Sequence, residues 1–116
     1  MKKSNLEINE EYNDCFIACK DATYTCLSTY KKYSKDNTNN IDTEFTTMLL
    51  ECSKLCDFVA NMIALDSDYI EIYLDVCIFI CEECIDECID LEGQYFKECI
   101  IACEKCINEC KKLIHE

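Results

Sequence analysis

Two segments of the chain space their cysteines identically, as C-x3-C-x2-C-x3-C. One segment runs from Cys77 to Cys88 and the other from Cys99 to Cys110. At about 100° per residue, steps of 4, 7 and 11 residues along an α-helix return to within roughly 40° of the starting direction. Each segment is therefore predicted to be a helix with all four thiols on one face, where the helices of a bundle normally place leucine.

Two earlier segments carry parts of the same motif. Ala22 stands in the third position of the first segment, which otherwise has Cys15, Cys19 and Cys26. The second segment has only one C-x3-C pair, Cys52–Cys56. Its stripe continues before and after the pair in four apolar residues: Phe45, Leu49, Val59 and Ile63. All four segments are thus predicted to turn one face toward a shared core.

Residues that end helices are almost absent, because the 116-residue chain has one glycine and no proline. Polar segments and Gly93 divide it into four predicted helices, at approximately residues 6–33, 42–65, 69–91 and 94–114. Residues 1–13 are alternatively a separate short helix. Short links between helices imply antiparallel neighbours. The predicted fold is all-α: a single domain over residues 1–116, forming an antiparallel up-down-up-down four-helix bundle.

Folding the last two helices about Gly93 also predicts a register for their thiols. The pairs expected at the same level are Cys88 with Cys99, Cys84 with Cys103, Cys81 with Cys106, and Cys77 with Cys110. The two stripes are then expected to face each other over about 16 Å, at 1.5 Å per residue.

The cysteines favour a soft metal ion, because cysteine is small and fills a core poorly. Thiolates are preferred by Cu(I), zinc and iron–sulfur clusters. Cu(I) suits helical stripes, since it accepts two or three thiolates and one thiolate can bridge two ions. Each Cu(I) that replaces a thiol proton leaves the charge of the core unchanged, whereas Zn(II) on four thiolates leaves two negative charges. The predicted ligands of multiple Cu(I) ions are all thirteen cysteines: Cys15, Cys19, Cys26, Cys52, Cys56, Cys77, Cys81, Cys84, Cys88, Cys99, Cys103, Cys106 and Cys110.

Other interpretations of the cysteines remain open at this point. The C-x3-C pairs Cys15–Cys19 and Cys52–Cys56 also fit a disulfide-stapled helical hairpin, although thirteen is an odd number. The C-x2-C pairs Cys81–Cys84 and Cys103–Cys106 fit a zinc site, and iron–sulfur proteins also use closely spaced cysteines. Free-thiol titration tests the first interpretation, and elemental analysis tests the others.

Composition argues against several other classes of protein. A net charge of −13 argues against nucleic-acid binding, which needs a basic surface. No apolar run is long enough for a membrane span. No apolar stretch follows the lysines near the N-terminus, as it does in a secretory signal, so we expect a cytoplasmic location. The single histidine is His115, and without a catalytic constellation we expect no enzymatic activity.

From Cys15 to Cys110 the sequence resembles the cytosolic branch of the copper storage protein family. The resemblance is most specific in the two C-x3-C-x2-C-x3-C runs and in the pair Cys52–Cys56. It implies a four-helix bundle with a core of cysteines, multiple Cu(I) ions along its axis, and a homotetramer. It also implies a role in copper sequestration, homeostasis and detoxification. Ala22 departs from the pattern, and we expect it to lower copper capacity locally.

The family also places histidine or methionine residues near a mouth of the bundle, where copper enters. The resemblance therefore implies two candidate entry or auxiliary ligands: Met48, one turn before Cys52, and His115, five residues after Cys110.

Some apolar residues point away from the cysteine line of their own helices. They are Ile17, Tyr24, Phe79 and Ile101. Because exposed apolar patches often mark interfaces, they favour an oligomer independently of the resemblance.

Overall fold

The computed structural model describes residues 8–114. Within them the chain forms four α-helices, named in chain order: α1 (Asn13–Asp36), α2 (Thr43–Ala64), α3 (Ile70–Cys88) and α4 (Gln94–Ile114). A single 3-10 turn, Glu10–Tyr12, precedes α1, and no strand occurs among the described residues. The prediction of an all-α fold is confirmed.

Both ends of α1 differ from the predicted range of 6–33. The side chain of Asn9 accepts a hydrogen bond from the backbone N–H of Glu11 and starts the 3-10 turn, so α1 begins only at Asn13. The alternative of a short helix over residues 1–13 corresponds, in the described part, to this one turn. At the other end α1 continues to Asp36, because the side-chain amide of Asn37 donates to the carbonyl of Tyr33 (2.9 Å) and satisfies the last turn.

The other helices lie closer to their predicted ranges. Asp42 caps α2, which starts one residue later and ends one residue earlier than predicted, by accepting two backbone N–H groups on its carboxylate. α4 has its predicted bounds. α3 ends three residues early, because the N–H of Leu91 turns back to the carbonyl of Cys88 and Gly93 then adopts a φ of 145°.

Each helix packs against two neighbours: α1 and α3 each contact both α2 and α4. The α1–α2 pair is antiparallel. Tyr33, near the end of α1, packs on Phe45, near the start of α2, with ring centroids 4.9 Å apart. Lys20, near the start of α1, pairs with Asp57, late in α2, at 2.9 Å. Together with the cysteine contacts below, this gives the antiparallel four-helix bundle that the sequence predicts.

The core has thiols along its middle and apolar side chains at both ends. At the aromatic end, the rings of Tyr33, Phe45 and Phe96 pack edge-on, with centroids 4.9 to 6.3 Å apart. At the opposite, aliphatic end, Ile63 and Leu74 are buried. These residues supply the large apolar surface that a cysteine core lacks.

Within residues 8–114, none of the four helices is long and apolar enough to span a bilayer.

Candidate metal centre

All thirteen cysteines lie within the described residues, and every one is a buried free thiol. Cys15 is 2% exposed and the other twelve are fully buried. The helical periodicity of the motifs explains this, because it puts each thiol on the face that its helix turns to the core. The four predicted apolar members of the α2 stripe, Phe45, Leu49, Val59 and Ile63, are buried as well.

The thiols of α1 lie against those of α4. The Sγ atoms of Cys15 and Cys110 are 3.6 Å apart, and those of Cys19 and Cys106 are 3.7 Å apart. Further along, Cys26 approaches both Cys99 (3.9 Å) and Cys103 (4.0 Å). The order of these partners shows that α1 and α4 are antiparallel.

The thiols of α2 lie against those of α3 instead. Cys56 is 3.9 Å from Cys77 and 3.6 Å from Cys81, Sγ to Sγ. α3 in turn meets α4 through Cys77 and Cys106 (3.6 Å) and through Cys84 and Cys99 (3.8 Å). None of these contacts joins a thiol of α1 to a thiol of α2. The array is therefore connected through α3 and α4, the two helices with complete motifs.

The thiols form groups in which all Sγ atoms lie within 4.8 Å of one another, as the ligands of one metal ion would. Two groups of four share no residue: Cys19, Cys77, Cys106 and Cys110 near the aliphatic end, and Cys26, Cys84, Cys99 and Cys103 toward the aromatic end. A further group of four is Cys56, Cys77, Cys81 and Cys106. The last group has only three thiols, Cys52, Cys81 and Cys103, and it links the two halves of the array.

The predicted register of α3 and α4 is right in its level and wrong in its nearest partners. The predicted pairs Cys84 with Cys103, Cys81 with Cys106 and Cys77 with Cys110 each share a group. The short contacts, however, join Cys84 to Cys99 and Cys77 to Cys106, which are one helical turn away from the predicted partners. The difference arises because side chains lean along the helix axis, so residues at one level need not be nearest neighbours.

Hydrogen bonds among the thiols divide them into proton donors and acceptors. Bonds from Cys26 and then Cys52 lower the pKa of Cys103, and bonds from Cys110 and Cys19 lower the pKa of Cys106, against the opposing effect of burial. The same bonds raise the pKa of the donors: that of Cys26 mainly through Cys103, and that of Cys19 mainly through Cys106. Thiols of α4 are thus the most readily ionised of these, and protons remain on their α1 partners.

The structure places the two weaker candidate ligands differently from the cysteines. Met48 is half-buried and lines a shallow surface cavity of about 420 Å³ with Thr43, Glu44, Thr47 and Glu87. The cavity lies where α2 begins and α3 ends. His115 is outside the described residues. Both residues stay predictions as copper ligands.

Two residues that close the thiol core were not predicted from the sequence. Leu74 is fully buried at the start of α3, and Phe96 is buried at the start of α4. Each stands three residues before the first cysteine of its motif, at Cys77 and Cys99. Extending the helical line backwards by one turn would have found both.

The chain matches the family model described as copper storage protein over residues 1–115. It belongs to the copper storage protein family. For members of this family a role in binding and storage is implied rather than catalysis. No curated protein sequence matches the chain.

Solved structures agree with the copper storage protein fold. One is the Nmul_A1745 protein from Nitrosospira multiformis, with a TM-score of 0.81 and 22% identity, covering 90% of this chain and 95% of that one. Another is the Cu(I)-bound copper storage protein BsCsp3, with a TM-score of 0.83 and 21% identity, covering 90% of this chain and 99% of that one. At these identities the likeness establishes a shared four-helix fold.

Proposed function

We propose that this protein stores multiple Cu(I) ions on the thiolates of its thirteen cysteines, and so sequesters and buffers copper. The observation that carries the proposal is the succession of overlapping thiol groups through the bundle core. Because Cys77, Cys81, Cys103 and Cys106 each belong to two groups, one thiolate can bridge ions at neighbouring sites. Bridging is what allows many Cu(I) ions to be held by a limited number of sulfurs.

Charge balance supports Cu(I) as the cargo. The core around the thiols holds no basic side chain, since the buried residues are apolar, thiol or hydroxyl groups. A core of this kind tolerates little net charge. One Cu(I) per thiolate is neutral, because each bound ion replaces one proton. The BsCsp3 structure, which is Cu(I)-bound, is a precedent for the same fold with this ion.

A reducing, cytoplasmic location fits the free state of the thiols. Sγ atoms 3.6 to 4.0 Å apart are close enough to oxidise to disulfides after small rotations. Oxidation would remove two ligands at a time from the array. Storage on these residues therefore requires a compartment that keeps the thiols reduced.

Self-association, proposed as a homotetramer, fits the outer surface of the bundle. Tyr24, Phe79 and Ile101 are 60 to 63% exposed, and Ile17 is 47% exposed. We expect Phe79→Glu and Ile101→Glu to reduce the mass measured by light scattering. Asn108→Glu, at an exposed polar position of α4, is the matched control and should leave the mass unchanged. A monomeric wild-type protein would contradict the proposal.

Met48 is proposed to assist copper entry beside the mouth formed by α2 and α3, and His115 at the other end of the bundle. The test is the initial rate of Cu(I) uptake from a chromophoric donor. Met48→Leu and His115→Gln should slow uptake without changing the final number of ions. Unchanged rates in both variants would remove these residues from the path.

The proposed function is tested by titrating the fully reduced protein with Cu(I), without oxygen, against a competing chromophoric chelator. We expect tight uptake of about one ion per cysteine. The control is a variant in which Cys84, Cys99 and Cys103 are replaced by serine, which should lose uptake while it keeps its helical circular dichroism. Saturation of the wild-type protein at one to three ions would overturn storage.

A further inference from the structure

Ala22 interrupts an otherwise complete ring of thiols at the middle of the bundle. It is fully buried and lies on the cysteine line of α1, three residues after Cys19 and four before Cys26. Of the four helices, α2, α3 and α4 provide Cys52, Cys81 and Cys103 to the central group, and α1 provides no thiol. The central group is consequently the one with three members.

The groups of four have the dimensions of a tetrahedral site for a divalent ion. Four sulfurs placed about 2.3 Å from a Zn(II) ion are about 3.8 Å from each other. In one group Cys26 and Cys84 lie 3.9 and 3.8 Å from Cys99. In another, Cys19 and Cys77 lie 3.7 and 3.6 Å from Cys106. Little movement is needed for either group to hold a zinc-like ion.

At most two such sites can be filled at once. The group of Cys56, Cys77, Cys81 and Cys106 shares two thiols with the group near the aliphatic end, so the two exclude each other. When the two groups without a common residue are filled, the thiols left at the centre are Cys52, Cys56 and Cys81. Three thiols do not complete the closed four-ligand shell that structural zinc sites use.

We propose that Ala22 is a specificity-determining residue that limits the bundle to two tetrahedral divalent sites and leaves its centre to Cu(I). Cu(I) accepts three thiolates, so the missing ligand does not exclude it. The inference rests on the proposed Cu(I) storage for its biological sense, but the number of divalent sites depends only on the thiol geometry.

Charge sets the order of preference between the two kinds of ion. A divalent ion on four thiolates leaves two negative charges in a buried core, whereas Cu(I) at one ion per thiolate leaves none. Divalent ions are therefore held more weakly, and Cu(I) displaces them. A cysteine at position 22 would complete a third tetrahedral set with Cys52, Cys56 and Cys81.

The test uses Co(II), whose visible absorption identifies tetrahedral thiolate coordination, added anaerobically to the reduced protein. We expect two tetrahedral Co(II) ions per chain for the wild-type protein and three for Ala22→Cys. Ala22→Ser, which matches cysteine in shape but provides no thiolate, should stay at two. A third tetrahedral ion in the wild-type protein, fewer than two, or no gain in folded Ala22→Cys would overturn the inference.

Two cysteine variants keep the test decisive if Ala22→Cys fails to fold. Cys52→Ser removes a member of the three-thiol group alone, so two Co(II) ions should remain. Cys84→Ser removes one group of four and leaves two that share Cys77 and Cys106, so the number should fall to one. Equal losses in both variants would contradict the inference. Failure of Cu(I) uptake with these Co(II) numbers intact would instead overturn the proposed storage function.

Discussion

Cys77 and Cys106 lie in contact across the interface of α3 and α4, with their Sγ atoms 3.6 Å apart, and both belong to the same two groups of four thiols. Cys88, at the end of α3, is equally buried but belongs to none of the groups. The two kinds of position allow a direct test of whether thiols act as shared ligands.

We expect Cys77→Ala to lower the number of Cu(I) ions bound by about two or more, because its sulfur serves two sites, and Cys88→Ala to lower it by about one. Both numbers come from anaerobic titration against a chelator. Equal losses in the two variants would show that the thiols bind copper independently of their grouping.

Copper affinity is expected to rise with pH. Hydrogen bonding to Cys103 raises the pKa of Cys26, and hydrogen bonding to Cys106 raises that of Cys19, so both thiols hold protons near neutral pH. A thiol must lose its proton to bind, so each Cu(I) that displaces one gains about tenfold in affinity per pH unit. Competition titrations at two pH values, corrected for the chelator, measure the slope. An affinity independent of pH would contradict this displacement.

Leu74 should contribute more to the stability of the copper-free protein than a cysteine does. It is fully buried at the aliphatic end, where it replaces a thiol with a large apolar side chain. We expect Leu74→Ala to lower the free energy of unfolding by about 2–5 kcal/mol, and Cys88→Ala by about 1 kcal/mol. Urea unfolding under reducing conditions, followed by circular dichroism, measures both. Copper capacity per folded molecule should be unchanged in Leu74→Ala, which loses no ligand.

Gly93 is needed for the turn between α3 and α4. Its φ is 145°, and an added Cβ would lie 3.2 Å from Cδ2 of Phe96. Gly93→Ala should therefore cost about 1–3 kcal/mol in unfolding free energy. Gln94→Ala, at the exposed first residue of α4, is the control and should cost much less. A wild-type unfolding midpoint for Gly93→Ala would show that the turn relaxes without strain.

The sequence was sufficient to predict the fold and the burial of every cysteine. Periodicity decides which residues share a helix face, and a face of thirteen thiols has no position outside the core. The same rule predicted the buried α2 residues and the exposed Ile17, Tyr24, Phe79 and Ile101.

Helix ends and nearest partners depended on contacts that periodicity does not describe. The start of α1 follows from the Asn9 side chain, and its extension to Asp36 follows from the amide of Asn37. The short contact of Cys77 with Cys106, one turn from the predicted partner, depends on the rotamers of both side chains. Such features need coordinates because they depend on single side-chain torsions.

The three-thiol group of Cys52, Cys81 and Cys103 is the link between the two halves of the array, since it shares Cys81 with one and Cys103 with the other. An ion that travels the length of the bundle by exchanging one sulfur at a time must pass this narrow station beside Ala22. Release from a loaded protein to an external acceptor through one mouth is then a two-step process. The near half empties first, and the far half follows at the rate at which ions cross the middle.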